Sequence, residues 1–189
     1  MLCLVGCVIT MVMKKVSKES KEIVVVLPDI RSSHNIGSIF RTSDAVGITR
    51  IVLAGYSPRP LDKFNRPQKE IAKTALGAEK DIPWIYEEST VKALKDLKKQ
   101  GFTVVGVEQT PKSINYKEFF KNTLNNKKKS SKQKQEEIQK LAIVFGNEVE
   151  GISNDLLKLC EYVVDIPMKG NKESLNVSVS AGIILYELI

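Results

Sequence analysis

Residues 23–55 decide the fold class of this chain, and they read IVVVLPDIRSSHNIGSIFRTSDAVGITRIVLAG. The stretch opens with the apolar run 23–27 and closes with a second run, 50–55. Neither run alternates with polar residues, which is typical of strands that are buried on both faces of a parallel sheet. Residues 36–46, which lie between them, favour a helix. We therefore predict a strand, a helix and a second strand in succession.

The same alternation continues toward the end of the chain. Further β-branched runs predict strands at residues 102–108, 141–146 and 162–167. Further helices are expected at residues 68–76, 90–99 and 153–159, from Asn176 to the end, and, as a short segment, at 136–140. Strands and helices in turn imply an α/β fold, with a parallel sheet and helices on both faces.

Length and composition indicate one globular domain. The chain has 189 residues, which suits one domain of ordinary size, and it lacks the long apolar tract that a membrane span needs. Its three cysteines, Cys3, Cys7 and Cys160, show neither a zinc spacing nor the even number of a disulfide framework. We therefore expect no metal, no membrane and a cytoplasmic location.

The domain is expected to cover residues 23–189, after an N-terminal extension, 1–22, without stable order. The extension contains LVGC, which resembles a lipoprotein cleavage box, but no basic residue precedes it and its apolar run is too short for a signal peptide. Met11 or Met13 remains an alternative start of the protein.

Most of the net charge of +7 is concentrated in one segment. Residues 117–140 hold eight lysines and three glutamates, so the rest of the chain is close to neutral. We interpret residues 121–137 as a lysine-rich, solvated and mobile insertion. An arm that binds RNA is the alternative.

Polar or glycine-rich segments follow four of the predicted strands. They read PDIRSSHN, EQTP, GNEVEG and PMKGNKESLN. Because the carboxyl ends of parallel strands meet at one edge of a sheet, we expect these segments to converge on one site. A dinucleotide site is disfavoured, because no G-x-G-x-x-G follows the first strand.

Three of these regions carry motifs that resemble a known family. NIGSIFRT (35–42), IVFGNEVEGIS (143–153) and IPMKGNKESLNVSVSAGIILYE (166–187) are similar, in order and spacing, to the three motifs of the SpoU/TrmH branch of the SPOUT methyltransferases. KTALGAEKDIPW (73–84) is similar to a further segment of that family. The resemblance extends over nearly all of residues 23–189.

The resemblance implies a 2′-O-ribose methyltransferase that acts on tRNA or rRNA and uses S-adenosylmethionine. It also implies a C-terminal trefoil knot and a homodimer, neither of which follows from composition or periodicity. Gly146, Ile166 and Leu175 match the cofactor-binding positions of the family, with Met168 as a neighbour. A few fixed polar groups within apolar walls suit such a cofactor.

The polar motif residues each have a functional and a structural interpretation. Asn35 would hold the ribose or Arg41, or else cap a helix, and Gly37 would let the RNA backbone approach. Glu148 would orient Arg41 or cap the next helix. Ser174 and Asn176 resemble positions near the target ribose, and Asn176 could also cap the last helix. The single histidine, His34, does not match a catalytic position of the family.

Arg41 resembles the arginine that is proposed as the general base in this family. With a pKa above about 12, its neutral fraction at pH 7 is on the order of 10⁻⁵ or less, a penalty of about 7 kcal/mol. That penalty exceeds the roughly 10²- to 10⁴-fold acceleration that a general base contributes. We therefore favour Arg41 as a clamp and electrostatic partner, while the role of a base stays open.

Two other functions compete with this interpretation. A non-catalytic RNA-binding protein with the same fold would be expected to lose Asn35, Arg41 or Glu148, yet all three are present. A base methyltransferase of the same superfamily is the other alternative, and the SpoU-like spacing disfavours it.

Overall fold

The structure is a computed structural model that describes residues 21–124 and 138–189. Residues 1–20 of the expected N-terminal extension and most of the lysine-rich insertion therefore lie outside the described residues, whereas Glu22 already belongs to the first strand. Within the described ranges, no helix combines the length and the apolar character that are needed to cross a bilayer.

Seven parallel strands form one sheet. They are β1 (Glu22–Pro28), β2 (Arg50–Ala54), β3 (Trp84–Glu87), β4 (Thr103–Val107), β5 (Ile114–Asn115), β6 (Lys140–Phe145) and β7 (Tyr162–Asp165). Their order across the sheet is β3-β2-β1-β6-β4-β7-β5. The register pairs Val25 with Ile51 of β2 on one side and with Ile143 of β6 on the other.

The described residues also form seven helices, of which the last follows the last strand. They are α1 (Ser33–Val46), α2 (Lys69–Ala75), α3 (Ala78–Asp81), α4 (Thr90–Lys99), α5 (Tyr116–Leu124), α6 (Asn154–Leu157) and α7 (Val177–Tyr186). All of the longer helices that the sequence predicts are present. The short helix predicted at 136–140 is wrong for its described part, because Ile138 and Gln139 lie outside any helix and Lys140 begins β6.

Two apolar cores, one on each face of the sheet, bury the strands. Val25 and Leu27 of β1 pack in the core that also contains residues of α1, α2, α5 and α7. Val24 and Val26 of the same strand face the other core, which contains residues of α4 and α6. The expectation of a parallel sheet with helices on both faces is therefore confirmed.

The two strands that the sequence did not predict lie at the edges of the sheet. β3 has four residues and β5 has two, and Ile85 and Tyr86 of β3 are largely exposed. Edge strands are often short and lack the long buried runs that identify central strands. Their sequences therefore give only a weak signal.

Candidate functional site

The carboxyl ends of β1, β6, β4 and β7 are consecutive along one edge of the sheet. The predicted convergence of their polar segments is confirmed, because residues that follow β4, β6 and β7 line one pocket and those after β1 bind its rim. Crevices at this edge of parallel sheets are common ligand sites.

The Glu148 carboxylate binds the start of α1. Its Oε2 accepts a hydrogen bond from the backbone amide of Arg31 at 3.0 Å. Its Oε1 accepts from the backbone amide of Ser32 at 3.2 Å and from Nδ2 of Asn35 at 2.8 Å. A negative charge is favourable at the N-terminus of a helix. Within one chain, Glu148 therefore has no hydrogen bond or ion pair with Arg41 and does not cap the following helix, whose N-cap is Ser153; it holds the start of α1 instead.

These contacts also fix the charge of Glu148. Partial burial alone would raise the pKa of the carboxyl, but hydrogen bonds from Arg31, from the Asn35 side chain and from the amides of Glu148 and Ser32 together lower the pKa below its ordinary value. A carboxylate of low pKa is a weak base. Glu148 is therefore an ionised acceptor at neutral pH that positions Asn35.

Asn176 links the third motif to the first. Its Nδ2 donates to Oδ1 of Asn35 at 3.2 Å. Its Oδ1 accepts from the backbone amide of Ser178 at 2.9 Å and from the Ser178 hydroxyl at 2.6 Å, which makes Asn176 the N-cap of α7. The predicted cap is therefore confirmed. A continuous chain of hydrogen bonds runs from Asn176 through Asn35 to Glu148 and joins all three motifs.

Asn35 is not a helix cap. α1 begins earlier than predicted, at Ser33, and its N-cap is Ser32, whose side chain accepts a hydrogen bond from the backbone amide of Asn35. Asn35 therefore lies in the first turn, with its amide group committed to Glu148 and Asn176.

Gly37 serves the packing of α1 against α2. A Cβ atom on Gly37 would lie 2.1 Å from Oγ1 of Thr74 and 2.3 Å from the carbonyl oxygen of Ile71. Gly37 is buried between the two helices. The expectation that it admits the RNA backbone is therefore wrong.

A tight turn at residues 146–151 aims Glu148 at α1. The backbone amides and carbonyl oxygens of Asn147 and Gly151 pair reciprocally at 3.2 Å, and Oδ1 of Asn147 accepts from the amides of Val149 and Glu150. A Cβ atom on Gly146 would lie 2.4 Å from the carbonyl carbon of Gly151. Gly146 is therefore required by the close approach within the turn.

Glu108 holds the same turn, and the sequence had not singled it out. Its Oε2 accepts from the backbone amide of Ile152 at 2.7 Å, and its Oε1 accepts from the amide of Gln109 at 3.0 Å. Its position in the sequence could have identified Glu108 as a site residue, because it is a carboxylate at the end of a predicted strand, in the segment EQTP.

The pocket has a volume of about 290 Å³. The four residues predicted to bind a cofactor, together with Ser174, all contribute to its wall; the four are Gly146, Ile166, Met168 and Leu175. Five acidic residues also line it, and none of the described residues that line it is basic; the five are Glu108, Glu148, Glu150, Asp165 and Glu173. Such a lining favours a cationic ligand.

Arg41 lies outside this arrangement. It is exposed on α1 and makes no hydrogen bond or ion pair with any residue in the described part of the chain. Six residues separate it from Asn35, so it is turned about 120° around the helix and displaced by about 9 Å along it. The suggestion that Asn35 holds Arg41 within one chain is therefore wrong.

The described residues contain no candidate metal site. Across residues 21–124 and 138–189, no three His, Cys, Asp or Glu side chains are grouped so that they could hold a metal ion.

These features define an α/β protein with a ligand pocket at the carboxyl edge of a parallel sheet. The model of the SpoU rRNA Methylase family matches residues 22–186. The chain therefore belongs to this family, and the resemblance that its three motifs indicated is confirmed.

Bacterial relatives show the same relationship. A protein of Staphylococcus aureus (strain MSSA476), assigned by inference to the TrmH family of tRNA/rRNA methyltransferases, is 30% identical over 171 residues, which are 90% of this chain and 60% of that protein. YacO of Bacillus subtilis (strain 168), assigned in the same way, is also 30% identical and is covered to 59%. The chain thus spans about 60% of the length of these relatives.

Solved structures share the fold. An rRNA methyltransferase from Sinorhizobium meliloti, crystallised with AdoMet bound, superposes with a TM-score of 0.72 at 24% identity, over 90% of this chain and 57% of that one. The TrmH/SpoU tRNA modifying enzyme of A. aeolicus superposes with a TM-score of 0.69 at 27% identity, over 90% and 75% of the two chains.

Proposed function

We propose that this protein is a cytoplasmic, homodimeric RNA methyltransferase that uses S-adenosylmethionine to methylate the 2′-hydroxyl of a ribose in tRNA or rRNA. The proposal includes a trefoil knot in the C-terminal part of the fold. The observation that carries it is the hydrogen-bond chain Asn176–Asn35–Glu148, which joins the three motifs beside one pocket. Its relatives include a TrmH-family tRNA/rRNA methyltransferase, an rRNA methyltransferase and a tRNA modifying enzyme, and these support the choice of substrate class.

The pocket suits S-adenosylmethionine. This cofactor carries a sulfonium and an ammonium charge, and the five carboxylates of the lining complement them. Gly146 and the aliphatic walls of Ile166, Leu175 and Met168 would hold its uncharged parts. When bound, it supplies an electrophilic methyl group.

The chain's own residues position the ribose. Nδ2 of Asn35 donates one of its two hydrogens to Glu148, so the second is available to a ribose oxygen. Ser174, which is exposed at the pocket wall, offers a further hydroxyl. Because Glu148 and Asn176 hold the Asn35 amide in one orientation, little freedom is lost when the ribose binds.

Arg41 acts in a dimer under this proposal. Its exposure on α1, away from the pocket of its own chain, leaves it free to reach the site of a second subunit. The exposed face of α7 supports such an assembly, because Val179, Tyr186 and Ile189 are apolar, and Gly182 has open space beside it. As a cation, Arg41 would attract an RNA phosphate and stabilise the negative charge that develops on the 2′-oxygen.

The direct test is methyl transfer in solution. Incubation with radiolabelled S-adenosylmethionine and total cellular RNA, followed by digestion to nucleosides, is expected to give 2′-O-methylated nucleosides. Arg41→Ala is expected to abolish transfer while cofactor affinity, measured by calorimetry, stays within about twofold. Methyl groups on bases only would refute the ribose assignment, and failure to bind the cofactor would favour a non-catalytic RNA-binding protein.

A further inference from the structure

The loop between β2 and α2, residues 55–68, is ordered by its own hydrogen bonds. Oδ1 of Asp62 accepts from the backbone amides of Phe64 at 2.8 Å and of Arg66 at 2.9 Å. The Asp62 amide donates to the carbonyl oxygen of Arg66 at 2.9 Å, and Leu61 and Pro67 form an antiparallel bridge. The loop is therefore a small hairpin with Phe64 at its tip.

This hairpin presents aromatic rings to solvent. The exposed fraction of Phe64 is 64%, and that of Tyr56, at the start of the loop, is 61%. Holding a large apolar ring in water has no benefit for stability, because the favourable free energy comes from burial. A ring that a rigid turn holds outward is suited to contact a partner.

Cations lie over the ring of Phe64 and over that of Tyr86, which is next to the loop. Nζ of Lys63 and the guanidinium of Arg66 lie 5.1 and 4.9 Å from the centre of the Phe64 ring, and the guanidinium of Arg59 lies 4.4 Å from that of Tyr86 in β3. Asp62 is the one acidic residue of the loop, and it is ion-paired with Arg66. The loop is therefore both aromatic and basic.

This combination fits RNA better than a protein partner. Unpaired bases stack on aromatic rings, and arginine and lysine bind the adjoining phosphates. The centres of protein interfaces are enriched in aromatic residues and arginine but depleted of lysine, so Lys63 beside Phe64 favours RNA.

Hydrogen bonds connect the loop to the candidate site. The amide of Tyr56 donates to Oδ1 of Asp29 at 3.1 Å, and the amide of Ile30 donates to Oγ of Ser57 at 2.8 Å. The next residue, Arg31, donates its amide to Glu148. The loop and the site are thus fixed to each other through residues 29–31, at the same edge of the sheet.

We propose that the 55–68 loop is a docking surface for an unpaired segment of the substrate RNA. A base stacks on Phe64, and Lys63 and Arg59 bind the phosphates on either side. This inference rests on the proposed function, since it supplies a contact through which the enzyme would distinguish unpaired from duplex RNA.

The test compares two labelled RNA probes on the full chain: an oligoadenylate of about 12 nucleotides, within the usual site size for single strands, and a duplex of the same length. Phe64→Ala is expected to weaken binding of the single strand about tenfold and that of the duplex less than about twofold, whereas Phe64→Trp retains the affinity. Leu76→Ala, which shortens another exposed apolar side chain, is the matched control and should change neither.

A second variant tests the phosphate contacts. Lys63→Gln together with Arg59→Gln should reduce the slope of log affinity against log salt by about 0.7 for each charge, while Lys95→Gln on α4 serves as a control.

The inference would be overturned if Phe64→Ala bound the single strand as tightly as the unsubstituted chain does, or if neither probe bound. It would also be overturned if Phe64→Ala changed the oligomeric state while RNA affinity stayed the same. That last result would assign the loop to a protein interface. Methyl transfer by the unsubstituted chain, assayed in parallel, separates failure of the loop proposal from failure of the proposed function.

Discussion

Glu148 makes the contacts on which the arrangement of the three motifs depends, and its carboxylate does so in its ionised form. The hydrogen bonds from Arg31, Ser32 and Asn35 act together on one side chain. Their loss would leave the start of α1 and the amide of Asn35 without a fixed acceptor.

Glu148→Gln is therefore expected to lower the free energy of unfolding by about 1 kcal/mol at pH 7. Because the pKa of Glu148 is lowered in the folded state, its stabilisation is complete above the pKa of the unfolded chain and is lost as the pH falls through the folded value. Urea unfolding of both proteins from pH 7 to a pH well below 4.5, the ordinary pKa of a glutamate, measures the difference. A difference that widens toward low pH would contradict this account.

The pocket carboxylates give a second prediction for single residues. Glu150→Gln with Glu173→Gln is expected to weaken binding of S-adenosylmethionine by about two- to thirtyfold, because each exposed charge contributes roughly 0.2 to 1 kcal/mol. S-adenosylhomocysteine, which lacks the sulfonium charge, should be affected less. Calorimetry with both ligands measures the ratio, and Glu88→Gln is the control. Equal weakening of both ligands would refute a contact with the sulfonium and assign the effect to the ammonium group that both ligands carry.

Motif residues could be identified from the sequence, but their partners could not. Asn35, Glu148 and Asn176 were candidates because of their positions in three motifs, yet the sequence suggested Arg41 as a partner of Glu148 and Asn35. The observed partners of Asn35 are Glu148 and Asn176, and each lies more than a hundred residues from it along the chain. Only the order of the strands in the sheet brings them together.

Among the helices and strands, the packing of α1 against α2 depends on Gly37. Gly37→Ala would place a methyl group against the carbonyl oxygen of Ile71, which belongs to backbone and cannot rotate away. We expect the free energy of unfolding to fall by about 1 to 3 kcal/mol, as measured by urea denaturation. Gly170→Ala, where a Cβ atom meets nothing within 4 Å, should change it by less than about 0.5 kcal/mol. Unchanged stability of Gly37→Ala would refute the packing role.

The sequence predicted the central elements better than the peripheral ones. β1, β2, β4 and β6 have apolar runs that reflect burial on both faces, and β7 has a shorter, partly buried one, whereas β3 and β5 are short edge strands. The sequence pattern predicts a start of α1 at Ile36 and not at Ser33, because Ser32 and Ser33 lack the apolar spacing that marks a helix. The cap is instead made by the Ser32 side chain.

At the scale of the whole molecule, the proposed dimer can be tested by mixing variants. Arg41→Ala and Asn35→Ala chains are each expected to be inactive alone. If Arg41 serves the site of the other subunit, a mixed dimer has one intact site. An equal mixture that exchanges subunits should then recover about a quarter of the unsubstituted methyl-transfer rate.

The control for this mixing experiment disrupts the exposed face of α7, where we expect the two subunits to meet. Val179→Glu in both chains should prevent the recovery, whereas Val91→Glu on α4 should not. No recovery in the simple mixture, although sedimentation shows mixed dimers, would place Arg41 in the site of its own chain.

The pattern of apolar residues in the sequence predicts neither the order of the strands in the sheet nor the dimer. Apolar runs identify strands, but not that β6 lies between β1 and β4, which is the placement that brings Glu148 to α1. The family resemblance was the source of the expected knot and dimer.

The most direct test of the central claim is a map of ribose methylation in cellular RNA, with and without this protein. We expect one or a few 2′-O-methyl groups in tRNA or rRNA to disappear when the protein is absent. They should return with the unsubstituted chain but not with Arg41→Ala. An unchanged map of ribose methylation, or a loss confined to methylated bases, would contradict the account.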